Sequence, residues 1–367
     1  MFLRRTYLES RFSLPNAGER TTDIAMKEPI TNLWVEFRCL NGATSNKDVT
    51  MSDCIEAIEV IDGSDVIYAL DGKEALALTA YYCNNMHNQL VTELGNTTQN
   101  LSIVIPFGRF EGDPIYAFDP TKFLNPQVRV KWNLAAIRAV GADGFTTGGL
   151  VYTLVATCME GGSSPQAYFM SKEIYSYVSA VGVEYVDLPT DYRYKMLMVR
   201  PHYATKAIYS VVTNLMLHVN QQQFVLFNMR MTDFIRYNSW IEPQMEYDHV
   251  FQKSHADQCY HILGYADTPI HEATTGVDQT HSWQGMGIGQ GPIGIWVAGA
   301  QQDTDVPVYA QVTGHCPFHC VLHNFGRRDE QGDYFDAPAF RSARLELTGG
   351  VAGGNVYVAL VQERPYS

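Results

Sequence analysis

His315, Cys316, His319, Cys320 and His323, packed into the run HCPFHCVLH, are the side chains in this chain best suited to hold a metal ion. Imidazole and thiolate are zinc and transition-metal ligands, and a spacing of four on a helix would gather them around one ion. Pro317, and the alternation of Val308, Ala310 and Val312 just upstream, predict an extended segment instead. Residues four apart in a strand stand roughly 13 Å from one another at about 3.3 Å per residue, too far to share an ion. The expectation is alternating core and surface positions, with no metal bound.

Other signals are weaker. The His-x-His pair that cupin-type jelly-roll enzymes place on a strand occurs nowhere, and His271-Glu272 stands alone after Pro269. Gly285 to Gly291 (GMGIGQG) lacks the Lys-Ser/Thr ending of a phosphate loop and the glycine spacing of a dinucleotide loop, so it reads as a surface loop. Asp329, Glu330, Asp333 and Asp336 fit no calcium-loop spacing and are expected to form a solvated loop. No Gly-x-Ser-x-Gly elbow is present. No catalytic, cofactor-binding or metal residue is therefore assigned, no cofactor is expected, and the chain reads as a non-enzyme.

The bulk composition narrows the class. At 367 residues the chain is long for one core and natural for two. With 46% hydrophobic residues, 22 Tyr and 17 Phe, it has ample apolar surface to bury, which excludes disorder for most of its length. A net charge of −13 argues against a protein built to grip phosphates, so no direct nucleic-acid binding is expected. The seven cysteines are scattered, odd in number and without a secretory signal, which predicts buried thiols in a reducing cytosol. No run reaches the roughly 18 apolar residues of a membrane span. Met1 to Phe12 carries charges where a signal peptide needs its apolar stretch, so synthesis and folding in the cytoplasm are expected.

The elements that must position any function are mostly strands. Leu33, Val35 and Phe37 alternate with Trp34, Glu36 and Arg38. Ile55 to Ile61 and Val66 to Leu70 are strands joined by the turn Asp62-Gly63-Ser64. The period then becomes helical: Asp71 caps, Glu74 has the capping-box spacing, and Ala75, Leu76, Leu78 and Tyr82 predict a helix from Gly72 to about Asn84. Leu101 to Pro106 is a further strand.

This order occurs twice. Ile58 to Tyr82 is echoed by Met216 to Trp240, and Val128 to Leu134 followed by Leu150 to Thr157 is echoed by Ala343 to Gly349 followed by Asn355 to Gln362. Tyr194 to Arg200 stands where Leu33 to Cys39 stands in the first half, and the second half carries longer loops between Glu242 and Gly291. Short strands with one helix per half predict an all-β fold of two tandem jelly-roll β-sandwiches. The expected division is an N-terminal arm over 1–30, a first jelly roll over 31–165, a connector over 166–190 and a second jelly roll over 191–367. The interdomain break is expected at Gly161-Gly162-Ser163-Ser164-Pro165. In the arm, Arg4, Arg5 and Arg11 interleave with Phe2, Leu3, Tyr7, Leu8 and Phe12, a pattern suited to an anionic membrane or a neighbouring subunit.

The stretch from Trp34 to Asn84, with Arg38-Cys39-Leu40-Asn41-Gly42, Ile58-Glu59-Val60-Ile61-Asp62-Gly63-Ser64 and Leu70-Asp71-Gly72-Lys73-Glu74-Ala75, resembles the opening of double jelly-roll major capsid proteins. The resemblance is to those of tailless icosahedral bacteriophages with an internal membrane, the corticovirus and finnlakevirus type. The resemblance implies a structural protein of the virion capsid, with three copies making a pseudo-hexagonal capsomer. It also implies penton and minor capsid proteins as partners, outward towers from the long loops of the second half, and an N-terminal arm turned toward the viral membrane. Tyr168 to Asp187 matches no motif of the family. The rival readings are a carbohydrate-binding or bicupin-like metal-dependent jelly-roll enzyme, and a minor capsid or spike protein.

Overall fold

The computed structural model describes residues 1–366 except for 45, 47–48, 84–88, 93, 163, 204–205, 243–244, 253–258, 263–270, 275–281, 286–292, 297–306 and 328–329. The first half runs through β1 (Phe2–Leu14), β2 (Ala17–Asp23), β3 (Ile30–Leu40), the one-turn α1 (Met51–Cys54), β4 (Ile55–Asp62), β5 (Asp65–Leu70) and α2 (Gly72–Cys83). It closes with β6 (Gln89–Thr92), β7 (Thr98–Pro106), β8 (Pro126–Asn133) and β9 (Leu150–Glu160). The second half opens with β10 (Ala167–Val178), β11 (Gly182–Leu188), β12 (Arg193–His202), α3 (Ile208–Val211), β13 (Val212–Val219), β14 (Phe224–Arg230) and α4 (Met231–Ile241). An excursion follows, with six strands among its described residues: β15 (Met245–Gln252), β16 (Cys259–Ile262), β17 (His271–Thr274), β18 (Ser282–Gly285), β19 (Ile293–Trp296) and β20 (Pro307–Gly314). Then come β21 (Val321–Asn324), β22 (Ala343–Gly349) and β23 (Asn355–Pro365).

Each half folds into two facing sheets. In the first, β1-β9-β3-β7 faces β2-β8-β4-β5, and in the second, β10-β23-β12-β21 faces β11-β22-β13-β14. Alternation supplies the filling: Leu33, Val35 and Phe37 meet Val128, Val130 and Trp132 in one core. In the other, Leu197 and Val199 meet Leu215, Leu217, Leu345 and Leu347. The fold is thus all-β, two jelly rolls in tandem, with a short helix beside the long one in each half. The excursion expected as loops instead extends the first sandwich: β15 pairs in parallel with β6, and β20, β17 and β18 continue that sheet.

Four register breaks of the first half have a counterpart in the second, while a fifth, at Glu9/Phe12 in β1, has none in β10. Register breaks fall at Tyr7/Glu9 and Glu173/Tyr175, at Ile30/Asn32 and Tyr194/Met196, at Ile55/Ala57 and Val212/Asn214, and at Val60/Ile61 and Leu217/His218. Aligning these breaks sets Gly72 on Met231, the first residues of α2 and α4. It also sets Thr79 on Asn238 and Val104 on Leu322, and in each half the helix side chain bonds the backbone of that strand residue, with opposite polarity. The Val104 N–H donates to Thr79 Oγ1 at 2.9 Å, and Asn238 Nδ2 donates to the Leu322 carbonyl at 2.6 Å. Replacing Thr79 by Val leaves a strand N–H without its acceptor and is expected to lower stability by about 1–3 kcal/mol, read by chemical denaturation.

This correspondence corrects the sequence echo by one to three residues, the largest being Tyr194, which matches Ile30 rather than Leu33. Ile58 matches Leu215 rather than Met216, and Tyr82 matches Ile241 rather than Trp240. The reason is the turn between the strands, which is Gly63–Ser64 in the first half and two residues longer, 220–223, in the second. A single alignment had to split the difference, and a one-residue slip swaps the faces of a strand.

The segment expected as an arm is folded. β1 pairs antiparallel with β9 and β2 with β8, making residues 2–23 the sheet edges of the first sandwich. Arg4 bonds Glu160 at 2.5 Å and Glu28 at 3.1 Å, Arg5 bonds Glu111 at 3.0 Å, and Trp132 Nε1 donates to the Pro15 carbonyl at 2.8 Å. The segment expected as a connector does the same work in the second half, where β10 pairs with β23 and β11 with β22. Arm and connector are counterparts of one another.

None of the six cysteines whose side chains are described forms a disulfide. Five are buried, and Cys83, against expectation, is exposed at the end of α2.

Candidate functional site at the seam between the sandwiches

The best-defined concentration of charge is where α2 of the first sandwich meets β12 of the second. Asp71 precedes α2 and its Oδ1 accepts the Glu74 N–H at 2.7 Å, the cap that the capping-box spacing predicts. Arg200, on the face of β12 turned toward α2, is 3% exposed. Its guanidinium bonds Asp71, lies 3.9 Å from the Glu74 carboxylate, and sits 3.9 Å above the Tyr357 ring. Lys73 pairs with Asp53 at the same end of the helix.

Burial governs which of these groups carry charge. Glu74 is almost wholly enclosed, and burial, reinforced by Asp71, pushes its carboxyl up to about 8. Its neutral form is thereby favoured, and Asp71 is the carboxylate that Arg200 bonds directly. His202 and His319 meet edge to face at 5.3 Å beside this pair. Burial lowers His202 to about 4, aided by Lys73 and Arg200, and lowers His319 to about 3, aided by His202 and Lys73.

The rest of the seam is apolar and aromatic. Tyr116 stacks on Phe169 at 4.7 Å, Lys195 lies 3.8 Å over the Phe169 ring, and the Tyr116 hydroxyl donates to Glu363 at 2.7 Å. Tyr81 of α2 donates to the Cys320 carbonyl at 2.8 Å. Backbone also crosses the seam: β5 and β10 pair in parallel, Tyr68 beside Ser171 and Ala69 beside Lys172, fusing two sheets into one of eight strands.

The HCPFHCVLH run is not the strand that the sequence predicts. Residues 315–320 form a tight turn, with φ of +55° at Cys316, +53° at Phe318 and +67° at His319, and only Val321–Asn324 is extended. The ladder of β20 ends at Gly314, and the turn that follows sends its members apart: His319 and Cys320 to the seam, His323 into a cluster with Phe227, Phe234 and Phe325. Among the described residues no group of three His, Cys, Asp or Glu side chains could hold a metal ion. Of the acidic loop, Asp333 is ion-paired with Arg327 at 2.6 Å, and Asp329 lies outside the described residues. So do residues 286–291 of the glycine run and Ser163 of the expected break. His271 and Glu272 lie in β17.

Sequence reasoning did not assemble the seam, although it left a trace: Glu74 in the apolar helix ALALTAYY and Arg200 closing MLMVR are charges at positions that must be buried. Among the described residues, the terminal strands of the sheets include β14, which ends the four-stranded sheet, and β1, which ends the nine-stranded one. Trp240 beside β14 is 87% exposed and Phe2 on β1 is 66% exposed.

No family model matches the chain, and no curated protein does. Solved structures do. The STIV major capsid protein is 12% identical with a TM-score of 0.61, the match covering 100% of this chain and 98% of that one. The major capsid protein P2 from bacteriophage PM2 is 8% identical with a TM-score of 0.57, again covering 100% and 98%. The PBCV-1 virus capsid is 10% identical with a TM-score of 0.58, covering 99% and 93%. At these identities the likeness is one of fold, and it runs from end to end: the chain has the double jelly-roll fold of these viral major capsid proteins.

Proposed function

We propose that the protein is a viral major capsid protein, structural rather than catalytic, whose function lies in its surfaces. The observation that carries this reading is the match of four register breaks between two sandwiches already joined side by side, in a fold shared over the whole chain with capsid proteins. Three such chains supply six similar wedges, so a homotrimer makes a pseudo-hexagonal tile while each sandwich keeps its own edges. Because each half carries its own copy of the edge-strand pair, the division we favour assigns the arm to the first sandwich and the connector to the second, with the border at 161–165. The wider setting follows the viruses that the sequence resembles: an icosahedral shell over an internal membrane, penton and minor capsid proteins as partners, and chains made in the host cytoplasm. Arg4 and Arg5 are ion-paired within the fold, so Arg11, exposed at a break in β1, is the arginine left to reach lipid.

Light scattering on the purified protein tests this. The expected mass is three times the 41.2 kDa of one chain. A monomer that persists at every ionic strength and protein concentration would overturn the reading.

A further inference from the structure

Inside the chain, the edge of β5 is covered by β10. The counterpart of β5 is β14 and the counterpart of β10 is β1, both terminal strands of their sheets among the described residues. β14 reads FVLFNMR, with no charge before Arg230 and with Phe224 and Val225 exposed, so it carries none of the usual protection of an open edge. Resting on the homotrimer reading above, we infer that a second copy of this chain covers that edge: β14 of one copy pairs in parallel with β1 of the next, repeating between chains the seam that exists within each.

The bulge alignment fixes the register. Ser171 and Lys172 correspond to Arg5 and Thr6, and Tyr68 and Ala69 correspond to Phe227 and Asn228. Phe227 of one copy therefore lies beside Arg5 of the next, and Asn228 beside Thr6. The charges agree with this placement. Arg200 corresponds to Glu36 on β3, and Asp71 corresponds to Arg230, the residue capping α4. The ion pair inside the chain is Arg200 with Asp71; carried to the counterpart positions it becomes Glu36 with Arg230, with both signs reversed and attraction retained. Among the described residues neither Glu36 nor Arg230 has an ion-pair partner in its own chain. Tyr81, which reaches across the internal seam, corresponds to Trp240, so the most exposed large apolar side chain of α4 becomes the anchor that enters the neighbour.

The contact is heterologous, and a ring of three closes it. Two experiments on the full chain test it. Glu36→Arg and Arg230→Asp are each expected to move trimer formation to roughly tenfold higher protein concentration, and the double variant, which recreates the internal Arg–Asp pair, to restore it. Neighbouring strands lie about 4.8 Å apart, within disulfide reach, so Thr6→Cys with Asn228→Cys is expected to give a covalent trimer on a non-reducing denaturing gel, and neither single variant to do so. A protein that is trimeric by light scattering yet shows neither charge rescue nor cross-linking overturns this interface and leaves the capsid reading standing. A ladder running past three chains overturns the closed ring. A monomer under all conditions overturns both.

Discussion

Arg200→Ala is expected to lower stability by about 3–5 kcal/mol, the typical effect of removing one member of a buried ion pair. The substitution strands Asp71 at the helix start, empties the space over the Tyr357 ring and unties the two sandwiches where α2 meets β12. Arg200→Lys keeps the charge without the planar fork that spans Asp71 and Tyr357, and is expected to recover only part of the loss. Pairing Arg200→Met with Asp71→Asn removes both charges together and is expected to be milder than Arg200→Ala alone. Urea denaturation of the four proteins checks the order, and a loss below about 1 kcal/mol for Arg200→Ala would remove the ion pair from the account of what joins the halves.

Acidification gives the second large effect. His202, His319 and His323 are held at about 4, 3 and 4 in the folded state, against 6.5 when unfolded, chiefly by burial. Because their folded values are depressed, the stability they contribute is complete above about 6.5 and is lost as pH falls toward 3–4. His319, buried beside the seam, accounts for a loss on the order of 5 kcal/mol by the bottom of that window. Glu74 runs the other way: raised from 4.5 to about 8, its contribution is complete below 4.5 and is lost as pH rises through 8. One carboxyl does not offset three imidazoles, so the melting temperature is expected to peak near neutral pH and to fall more steeply on the acid side. His319→Gln, which cannot take up the proton, is expected to flatten the acid limb. An unchanged limb in that variant would place the acid sensitivity elsewhere.

How much of this was legible in the sequence depends on how local the cause is. β3, β4, β5 and α2 follow from alternation, a Gly63 turn and a cap at Asp71, all of which act over a few residues, and the structure has them nearly where the pattern puts them. The echo between the halves was readable for the same reason, but its register was not, because a turn longer by two residues shifts everything after it. β1 was missed because its register breaks at Tyr7/Glu9 and Glu9/Phe12, which scrambles the period of two and lets FLRRTYLESRF pass for a loose basic arm. The HCPFHCVLH turn was mistaken for strand because its positive φ values fall on Cys, Phe and His, none of which marks such a turn. The seam was invisible for a plainer reason: Arg200 and Asp71 are 129 residues apart, and only the docking of one sandwich on the other brings them together.

On the proposed function, two near-equivalent sandwiches in one chain make three chains into a six-sided tile. Electron-microscopic class averages of the purified protein test it most directly. The expected particle is three-fold, with six lobes alternating in shape around a ring. Two-lobed particles of a single chain, or rings in which the sandwiches do not alternate, would contradict it.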